Sequence, residues 1–396
     1  MTTDWRALEA RYFFHTGKRM PVVLVRGQGT RVWDENGKAY LDFFGGPAAI
    51  SLGHCHPVVV QALTDQAQKL IHVSNAVYSI PQIQFAHLLI QHSAFDRVFF
   101  CNSGAEANEG AIKLARKWGK EKKNGAYEII STENAFHGRT LAMVTAGGTE
   151  KYRAPYAPLP PGFVHVPFND VEAIKRATND NTLAVFLEPI QGEGGVNVPD
   201  DDYLKQVRAW CDERGILLIL DEVQTGFGRT GKLFAYQLYD AEPDIITLAK
   251  GIGSGVPLAA FMAKEHCAVF EPGDHGTTYG GNPLMTRVGH AVVSYIIENN
   301  IPDRVADLGE YVARRLQSIE DRFDFVTDVR GKGLIWAIQF DREIGEAVTL
   351  RCLEEGLIAN NVRPNALRIT PPLTVTEEEL DEGLDIIERV LPEFAS

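Results

Sequence analysis

Cysteine is scarce in this chain, and the few residues present are isolated. The 396 residues include only five, with no Cys-x-x-Cys motif, at Cys55, Cys101, Cys211, Cys267 and Cys352. An odd number of scattered cysteines argues against a disulfide framework and predicts a reducing compartment, the cytoplasm. Residues 54–56 read His-Cys-His, but adjacent side chains diverge along most backbones and no second ligand cluster accompanies them. We therefore predict no metal site.

Long apolar runs and an excess of positive charge are also missing. No run approaches the ~20 apolar residues that cross a membrane, and the first six residues lack the apolar core of a secretory signal. The net charge of −13 argues against nucleic-acid binding, although a local positive pocket for an anionic substrate remains compatible with it. Hydrophobic residues make up 45% of the chain. These features predict a soluble protein with a large core and no membrane or nucleic-acid partner.

Apolar runs alternate with helical patterns through the middle of the chain. The runs cover residues 97–101, 127–131, 183–188, 216–221 and 245–250. This alternation predicts an α/β fold with a mainly parallel sheet flanked by helices. In such a sheet the ligand is expected at the carboxyl ends of the strands.

The two ends of the chain have a different texture. Residues 1–20 are predicted to form a helix, followed by a small antiparallel sheet over residues 26–42. Beyond the central region the pattern predicts helices at 284–298 and 302–322, a mixed segment through 326–340 and 357–369, and a last helix that starts near Glu377. We predict three regions: an N-terminal segment that joins the small domain, a large cofactor-binding domain and a small α+β domain, at 1–49, 50–285 and 286–396.

Asp221 and Lys250 each end an apolar run that is predicted to be a buried strand. If the two strands are parallel, the carboxylate and the amine reach the same edge of the sheet. An aldehyde cofactor with a basic ring nitrogen needs such a pair, because the lysine bonds to the aldehyde and the carboxylate keeps the ring nitrogen protonated. The sequence therefore predicts pyridoxal 5'-phosphate as the cofactor.

A phosphate-binding turn is predicted directly after the run at 97–101. Ser103 and Glu106 have the spacing of a capping box, which places the start of a helix here. Gly104 and Ala105 have little or no side chain, so the first amides of the helix stay accessible to an anion. Alone, this pattern also fits an ordinary capped helix; together with Asp221 and Lys250 it favours phosphate binding.

Several ordered motifs resemble those of the class III, ornithine-type aminotransferases of fold type I, and among them the acetylornithine aminotransferases. The motifs run through nearly the whole chain in family order. They are GHCHP (53–57), HVSN (72–75), the segment 99–109, AFHGRT (135–140), EPIQGEGG (188–195), the segment 221–231, AK (249–250), HGTTYGGNP (275–283) and RITPP (368–372). The resemblance implies a large domain with a mainly parallel sheet, a smaller α+β domain and pyridoxal phosphate.

The resemblance also implies roles around the cofactor ring. Phe136 would stack on the ring, Val223 would pack on the opposite face, and Gln224 would hydrogen-bond the ring hydroxyl. Thr278 would reach the phosphate bound by a partner subunit, and Thr277 would lie near the partner's substrate. These two threonines imply a homodimer with shared active sites.

Three further residues are implied to bind substrate. Arg139 and Arg368 would bind carboxylates, a task for which the planar guanidinium fork is suited. Glu193 would neutralise Arg368 while a substrate with a single carboxylate is bound, because an unpaired buried charge is costly.

The expected activity is transamination of a terminal amine by a ping-pong mechanism, within arginine biosynthesis. N-acetylornithine and 2-oxoglutarate would give N-acetylglutamate semialdehyde and glutamate, with Lys250 and Asp221 as the catalytic residues. Ornithine, succinylornithine, 4-aminobutyrate and lysine-pathway aminotransferases remain alternatives, since Pro47 and the loop at 75–81 depart from the family pattern. A racemase, an aminomutase or a catalytically silent binding protein on the same scaffold is a more distant alternative.

Overall fold

The computed structural model describes residues 3–395, which fold around three β-sheets. The strands are β1 (Leu24–Gln28), β2 (Arg31–Asp34), β3 (Ala39–Asp42), β4 (Arg97–Cys101), β5 (Glu128–Thr132), β6 (Phe163–Val166), β7 (Thr182–Leu187), β8 (Leu217–Asp221), β9 (Ile245–Leu248), β10 (Ala259–Ala263), β11 (Val326–Lys332), β12 (Ile335–Phe340), β13 (Leu357–Ile358), β14 (Asn360–Arg363) and β15 (Ala366–Ile369).

Helices cover these sheets. They are α1 (Trp5–Tyr12), α2 (Gly45–Ala48), α3 (Pro57–Ala67), α4 (Ile80–Gln91), α5 (Gly104–Lys122), α6 (Leu141–Ala146), α7 (Glu150–Arg153), α8 (Val171–Ala177), α9 (Tyr203–Arg214), α10 (Pro283–Glu298), α11 (Ile301–Arg322), α12 (Gly345–Glu354) and α13 (Glu377–Val390). Within residues 3–395, no helix has the length and apolar character needed to cross a membrane.

The central seven-stranded sheet has the order β4-β10-β9-β8-β7-β5-β6. β8 pairs in parallel with both β7 and β9, as the sequence predicts. All five residues of β8 are buried, which is why the run Leu-Leu-Ile-Leu shows no polar alternation. The predicted runs at 97–101, 127–131, 183–188, 216–221 and 245–250 fall on β4, β5, β7, β8 and β9, within two residues at each end.

Two strands of this sheet were not predicted from the sequence. β6 extends the parallel edge beside β5. β10 lies between β4 and β9 and is antiparallel to both. Its sequence, Ala-Ala-Phe-Met-Ala, is buried throughout and gives neither a helical nor a strand period. The sheet is therefore mixed, although the strands that deliver Asp221 and Lys250 are parallel neighbours.

The two smaller sheets come from the ends of the chain. The antiparallel order β1-β2-β3 confirms the sheet predicted over residues 26–42, and β13 adds a parallel fourth strand to it. The sheet β11-β12-β15-β14 carries Arg368 on β15. The N-terminal helix is shorter than predicted, since only Trp5–Tyr12 is helical. The boundaries at 49/50 and 285/286 stay predictions.

The helices predicted near the C-terminus are confirmed as α10, α11 and α13. α13 begins at a complete capping box, in which Thr376 and Glu379 each accept the other's backbone N–H. Three glutamates occupy its first turn, where the positive end of the helix dipole stabilises them.

Candidate active site

A cavity of about 360 Å³ opens at the carboxyl ends of the central strands. Nine residues singled out from the sequence line it: Ser103, Gly104, Ala105, Phe136, Glu193, Asp221, Val223, Gln224 and Lys250. They follow different strands and reach one place because parallel strands end at one edge of the sheet. Four other predicted residues do not line the cavity, namely Arg139, Thr277, Thr278 and Arg368.

Asp221 is buried at the end of β8 and held by three donors. Its Oδ1 accepts the backbone N–H of Val223 at 3.0 Å. Its Oδ2 lies 2.8 Å from Asn108 Nδ2 and 2.8 Å from His137 Nδ1. The His137 ring is in turn stacked on Phe186, with centroids 3.9 Å apart. These contacts leave the carboxylate little freedom to rotate, so it presents a fixed charge to the cavity.

The neighbouring carboxylate, Glu222, has a different task. It accepts the backbone N–H groups of Ala235 at 2.5 Å and Tyr236 at 2.8 Å, and burial raises its pKa to about 7. Successive side chains of a strand point to opposite faces, so only Asp221 of the pair reaches the cavity. Glu222 stabilises the short 3₁₀ helix that follows.

Lys250 lies just beyond β9, whose residue Thr247 pairs with Asp221 across the sheet. Its φ of 42° is in the left-handed region, which costs energy for a residue with a side chain. Burial lowers the pKa of its amine, an effect opposed by the carboxylates of Glu193, Asp221 and Glu188. A lysine with a lowered pKa is more often neutral, and the neutral amine is the form that attacks an aldehyde and accepts a proton.

The start of α5 forms one wall of the cavity. The Ser103 side chain accepts the backbone N–H of Glu106, as the capping pattern predicts. The Glu106 carboxylate does not return to Ser103 but accepts from Asn102 N at 2.6 Å, so the capping box is shifted by one residue. A Cβ atom at Gly104 would lie 2.8 Å from Val223 Cγ1, which explains why glycine is needed here.

Glu193 and Arg368 form an ion pair at the edge of the cavity. Arg368 Nη1 donates to Glu193 Oε1 at 2.7 Å and to the Gly192 carbonyl at 3.1 Å. Gln224 contacts both partners, at 3.2 Å from Glu193 and 3.3 Å from Arg368. Burial acts to raise the pKa of Glu193, but the charges of Arg368 and Lys250 outweigh it and lower the pKa to about 2. The Arg368 side chain is 1% exposed, and Glu193 lines the cavity whereas Arg368 does not.

Arg139 is exposed next to the cavity. Its guanidinium lies 3.8 Å from the ring centre of Tyr152 and 5.3 Å from that of Phe136. Stacking on two aromatic rings holds the side chain beside the cavity. Within residues 3–395, its hydrogen-bond donors contact no carboxylate.

The two threonines of the loop after β10 lie outside this chain's cavity. Thr277 accepts from Asn102 Nδ2 at 3.2 Å, so it contacts the residue just before the cap of α5. Thr278 is exposed. The implied contact of Thr278 with a partner's phosphate stays a prediction.

Three functional candidates were missed from the sequence: Asn108, His137 and Glu188, all of which line the cavity. Glu188 directly follows β7 and accepts the backbone N–H of Phe136 at 3.0 Å, while burial and the charge of Asp221 raise its pKa well above its usual range. Glu188, like Asp221, lies at the carboxyl end of a parallel strand, and this position is the signal that could have identified it. Asn108 follows Gly104 by one helical turn, a spacing that also places it on the cavity side.

Comparisons with known proteins agree with this arrangement. The profile of the aminotransferase class-III family matches residues 12–391. The chain belongs to this family. An acetylornithine aminotransferase from Caldanaerobacter subterraneus subsp. tengcongensis is 50% identical over 387 residues, a match that covers 98% of each chain.

Solved structures of the family have the same fold. The chain is similar to the ornithine aminotransferase of Toxoplasma gondii, with a TM-score of 0.96 at 34% identity and coverage of 100% of this chain and 96% of that one. It is also similar to the acetylornithine aminotransferase of Elizabethkingia anophelis, with a TM-score of 0.89, 37% identity and 98% coverage of both. The prediction of a fold type I, class III aminotransferase is confirmed.

Class III aminotransferases depend on pyridoxal phosphate, and the residues present fit this cofactor. The accessible amides at the start of α5 suit a phosphate, the fixed Asp221 carboxylate suits a protonated ring nitrogen, and Lys250 supplies the amine. Among the residues that the structure describes, Asn108 Oδ1 is buried without a hydrogen-bond partner, so an acceptor at the cavity wall is still free. The predicted cofactor is confirmed.

Proposed function

We propose that this aminotransferase converts N-acetylornithine and 2-oxoglutarate to N-acetylglutamate semialdehyde and glutamate, in arginine biosynthesis. The observation that carries the proposal is the Glu193–Arg368 pair, 2.7 Å apart at the cavity edge. The site must accept in turn a donor whose reacting carbon carries only an amine and glutamate, whose reacting carbon carries both an amine and a carboxylate. An arginine with a removable carboxylate partner meets both needs. The 50% identity to an acetylornithine aminotransferase supports the choice of donor.

Bound pyridoxal phosphate supplies a carbonyl carbon for the amino group and a ring that withdraws electrons from the substrate carbon. The chain's own residues supply binding and proton transfer. Lys250 would hold the cofactor through its side-chain amine, and that amine, once free, would carry a proton to and from the substrate carbon. Burial lowers the pKa of Lys250, which favours the neutral amine that can accept a proton.

The second group of residues holds the cofactor in place. Asp221, fixed by Asn108 and His137, would keep the ring nitrogen charged. Phe136 and Val223 would pack on the two ring faces, and Gln224 would donate to the ring hydroxyl. Ser103, Gly104 and Ala105 would bind the phosphate through the start of α5.

Two arginines would bind the carboxylates of the substrates. Arg139, whose donors are not used on a protein carboxylate, would bind the carboxylate at the far end of the donor. Arg368 would bind the carboxylate next to the reacting carbon of glutamate once Glu193 has moved away. Two sequential substrates in one site give ping-pong kinetics.

A panel of amine donors at fixed 2-oxoglutarate tests the donor. N-acetylornithine is expected to have the highest kcat/KM, ahead of ornithine, N-succinylornithine and 4-aminobutyrate by about tenfold or more. Ornithine is the alternative favoured by a specific observation, the TM-score of 0.96 to an ornithine aminotransferase. A higher kcat/KM for ornithine would refute the proposed donor and leave the aminotransferase chemistry unchanged.

The enzyme is further proposed to be a cytoplasmic homodimer with shared active sites. Two observations support an interface: the exposed loop at Thr278, and exposed large apolar side chains that include Tyr78 and Ile80, at 96% and 72%. The five cysteines are all unpaired, which supports a reducing compartment.

Mixed dimers test the shared site. Thr278→Ala homodimers are expected to bind the cofactor about tenfold more weakly, because one hydrogen-bonding partner of the phosphate is lost. If Thr278 serves the partner's site, a heterodimer of one Lys250→Ala chain and one Thr278→Ala chain has one intact site and about half of the wild-type turnover, measured at a cofactor concentration that saturates wild type but not the Thr278→Ala homodimer. Doubly tagged heterodimers isolate this species. Turnover no higher than half that of the Thr278→Ala homodimer would mean that Thr278 serves its own chain.

A further inference from the structure

Arg229 is a buried arginine that has no acidic partner. It is 2% exposed, and within residues 3–395 its guanidinium makes no salt bridge of 4.0 Å or less. Burial lowers its pKa to about 9. Burying a charge without a counter-charge is costly, so the position needs an explanation beyond packing.

The partners of Arg229 are two backbone carbonyls from the C-terminal sheet. Its Nη1 donates to the Leu334 carbonyl at 3.0 Å and to the Pro371 carbonyl at 2.5 Å. Leu334 immediately precedes β12, and Pro371 follows β15 by two residues. β12 and β15 are paired antiparallel, with Trp336 opposite Ile369. Nη1 of Arg229 therefore hydrogen-bonds to the backbone beside the adjacent ends of β12 and β15.

The backbone around Arg229 is fixed just as tightly. Its own carbonyl accepts the Leu334 N–H at 3.0 Å, and a Cβ atom at Gly333 would lie 2.5 Å from that carbonyl oxygen. On the other side of the turn, a Cβ atom at Gly231 would lie 3.1 Å from Ala306 of α11. The turn is thus tightly packed between α11 and the loop before β12.

These contacts join two parts of the active site. The turn that carries Arg229 continues directly from Asp221 and Gln224, whereas β15 carries Arg368, which pairs with Ala337 of β12. Arg368 must meet Glu193 and Gln224 across this junction at 2.7 and 3.3 Å. A shift of β15 by a fraction of an ångström would misalign its guanidinium.

We propose that Arg229 is a positioning residue that fixes the strand carrying Arg368 to the turn carrying Asp221 and Gln224, and so sets the response of the enzyme to its dicarboxylate substrate. The inference rests on the proposed role of Arg368 in binding glutamate. It assigns to Arg229 no contact with substrate or cofactor.

The test compares the two half-reactions of the holoenzyme by stopped-flow absorbance. Arg229→Met keeps an unbranched apolar stem but removes the donors. Arg229→Met is expected to lower the second-order rate constant of the glutamate half-reaction about tenfold. Misplacing a binding group by about 1 Å has effects of this size or larger. The half-reaction with N-acetylornithine should change less than about twofold, because it does not need Arg368 as a ligand.

Arg304→Met is the matched control. Arg304 also donates to backbone carbonyls of the same C-terminal segment, those of Leu373 and Val375, but these lie farther along the chain from Arg368. Arg304→Met should leave the ratio of the rate constants of the two half-reactions unchanged even if it lowers the melting temperature. Arg229→Lys, which keeps one donor and the charge, should restore part of the glutamate rate and serves as the test variant if Arg229→Met does not fold.

Arg368→Ala separates this inference from the function on which it rests. If Arg368→Ala lowers the glutamate rate selectively and the Arg229 variants slow both half-reactions equally or neither, the positioning role is refuted and the proposed function stands. If Arg368→Ala leaves the glutamate half-reaction unchanged, both proposals are overturned.

Discussion

Lys250→Ala is expected to lower kcat by about 10²–10⁴-fold, the range found for loss of a positioned proton-transfer group. Burial lowers the pKa of the Lys250 amine. Because the amine is buried, no solvent base reaches the same place. Its neighbours Glu188 and Glu193 cannot replace it. Glu188 is engaged with the backbone N–H of Phe136, and Glu193 is engaged with Arg368.

Two measurements check this prediction separately from turnover. Borohydride reduction of the holoenzyme followed by peptide mapping should place the cofactor on the peptide that contains Lys250. Lys250→Arg should behave like the alanine variant, because it keeps the positive charge but lacks an amine able to bond to the aldehyde. A cofactor adduct on any other lysine would show that the assignment is wrong.

The acid and the amine were predictable from the sequence for a simple reason. Each ends an apolar run, and the ends of parallel neighbouring strands share an edge, so Asp221 and Lys250 had to converge. The same rule selects Glu188, which follows β7, although Glu188 was not predicted as a site residue. The phosphate turn was likewise visible, because Ser103 and Gly104 act through local backbone geometry.

Other features depend on contacts that leave no local signal. β10 joins the sheet antiparallel between β4 and β9, a position set by pairing with strands far away in the sequence. The partners of Arg229 are carbonyls at residues 334 and 371, and any residue type supplies a carbonyl. The fixing of Asp221 by His137 arises from two side chains 84 residues apart. Such links follow from the tertiary structure alone.

Glu193→Ala should change the balance between the two substrates. Without Glu193, Arg368 is permanently free to bind a carboxylate, so the half-reaction with glutamate should be kept or improved. The half-reaction with N-acetylornithine should slow, because Arg368 is then an unpaired charge that also attracts the donor's carboxylate to the wrong end of the site. The expected change in the ratio of the two rates is about 1–3 kcal/mol, roughly ten- to a hundredfold.

Glu193→Gln separates charge from hydrogen bonding in this pair. Glutamine keeps an oxygen that accepts from Arg368 but lacks the charge, so its selectivity should lie between those of wild type and Glu193→Ala. Because the pKa of Glu193 is about 2, the wild-type residue is ionised throughout the neutral range, and titration of this residue should not alter selectivity there. Stopped-flow measurement of each half-reaction gives the ratio directly. Equal slowing of both half-reactions in Glu193→Ala would mean that Glu193 only stabilises the fold around Arg368, because a gate must favour one substrate over the other.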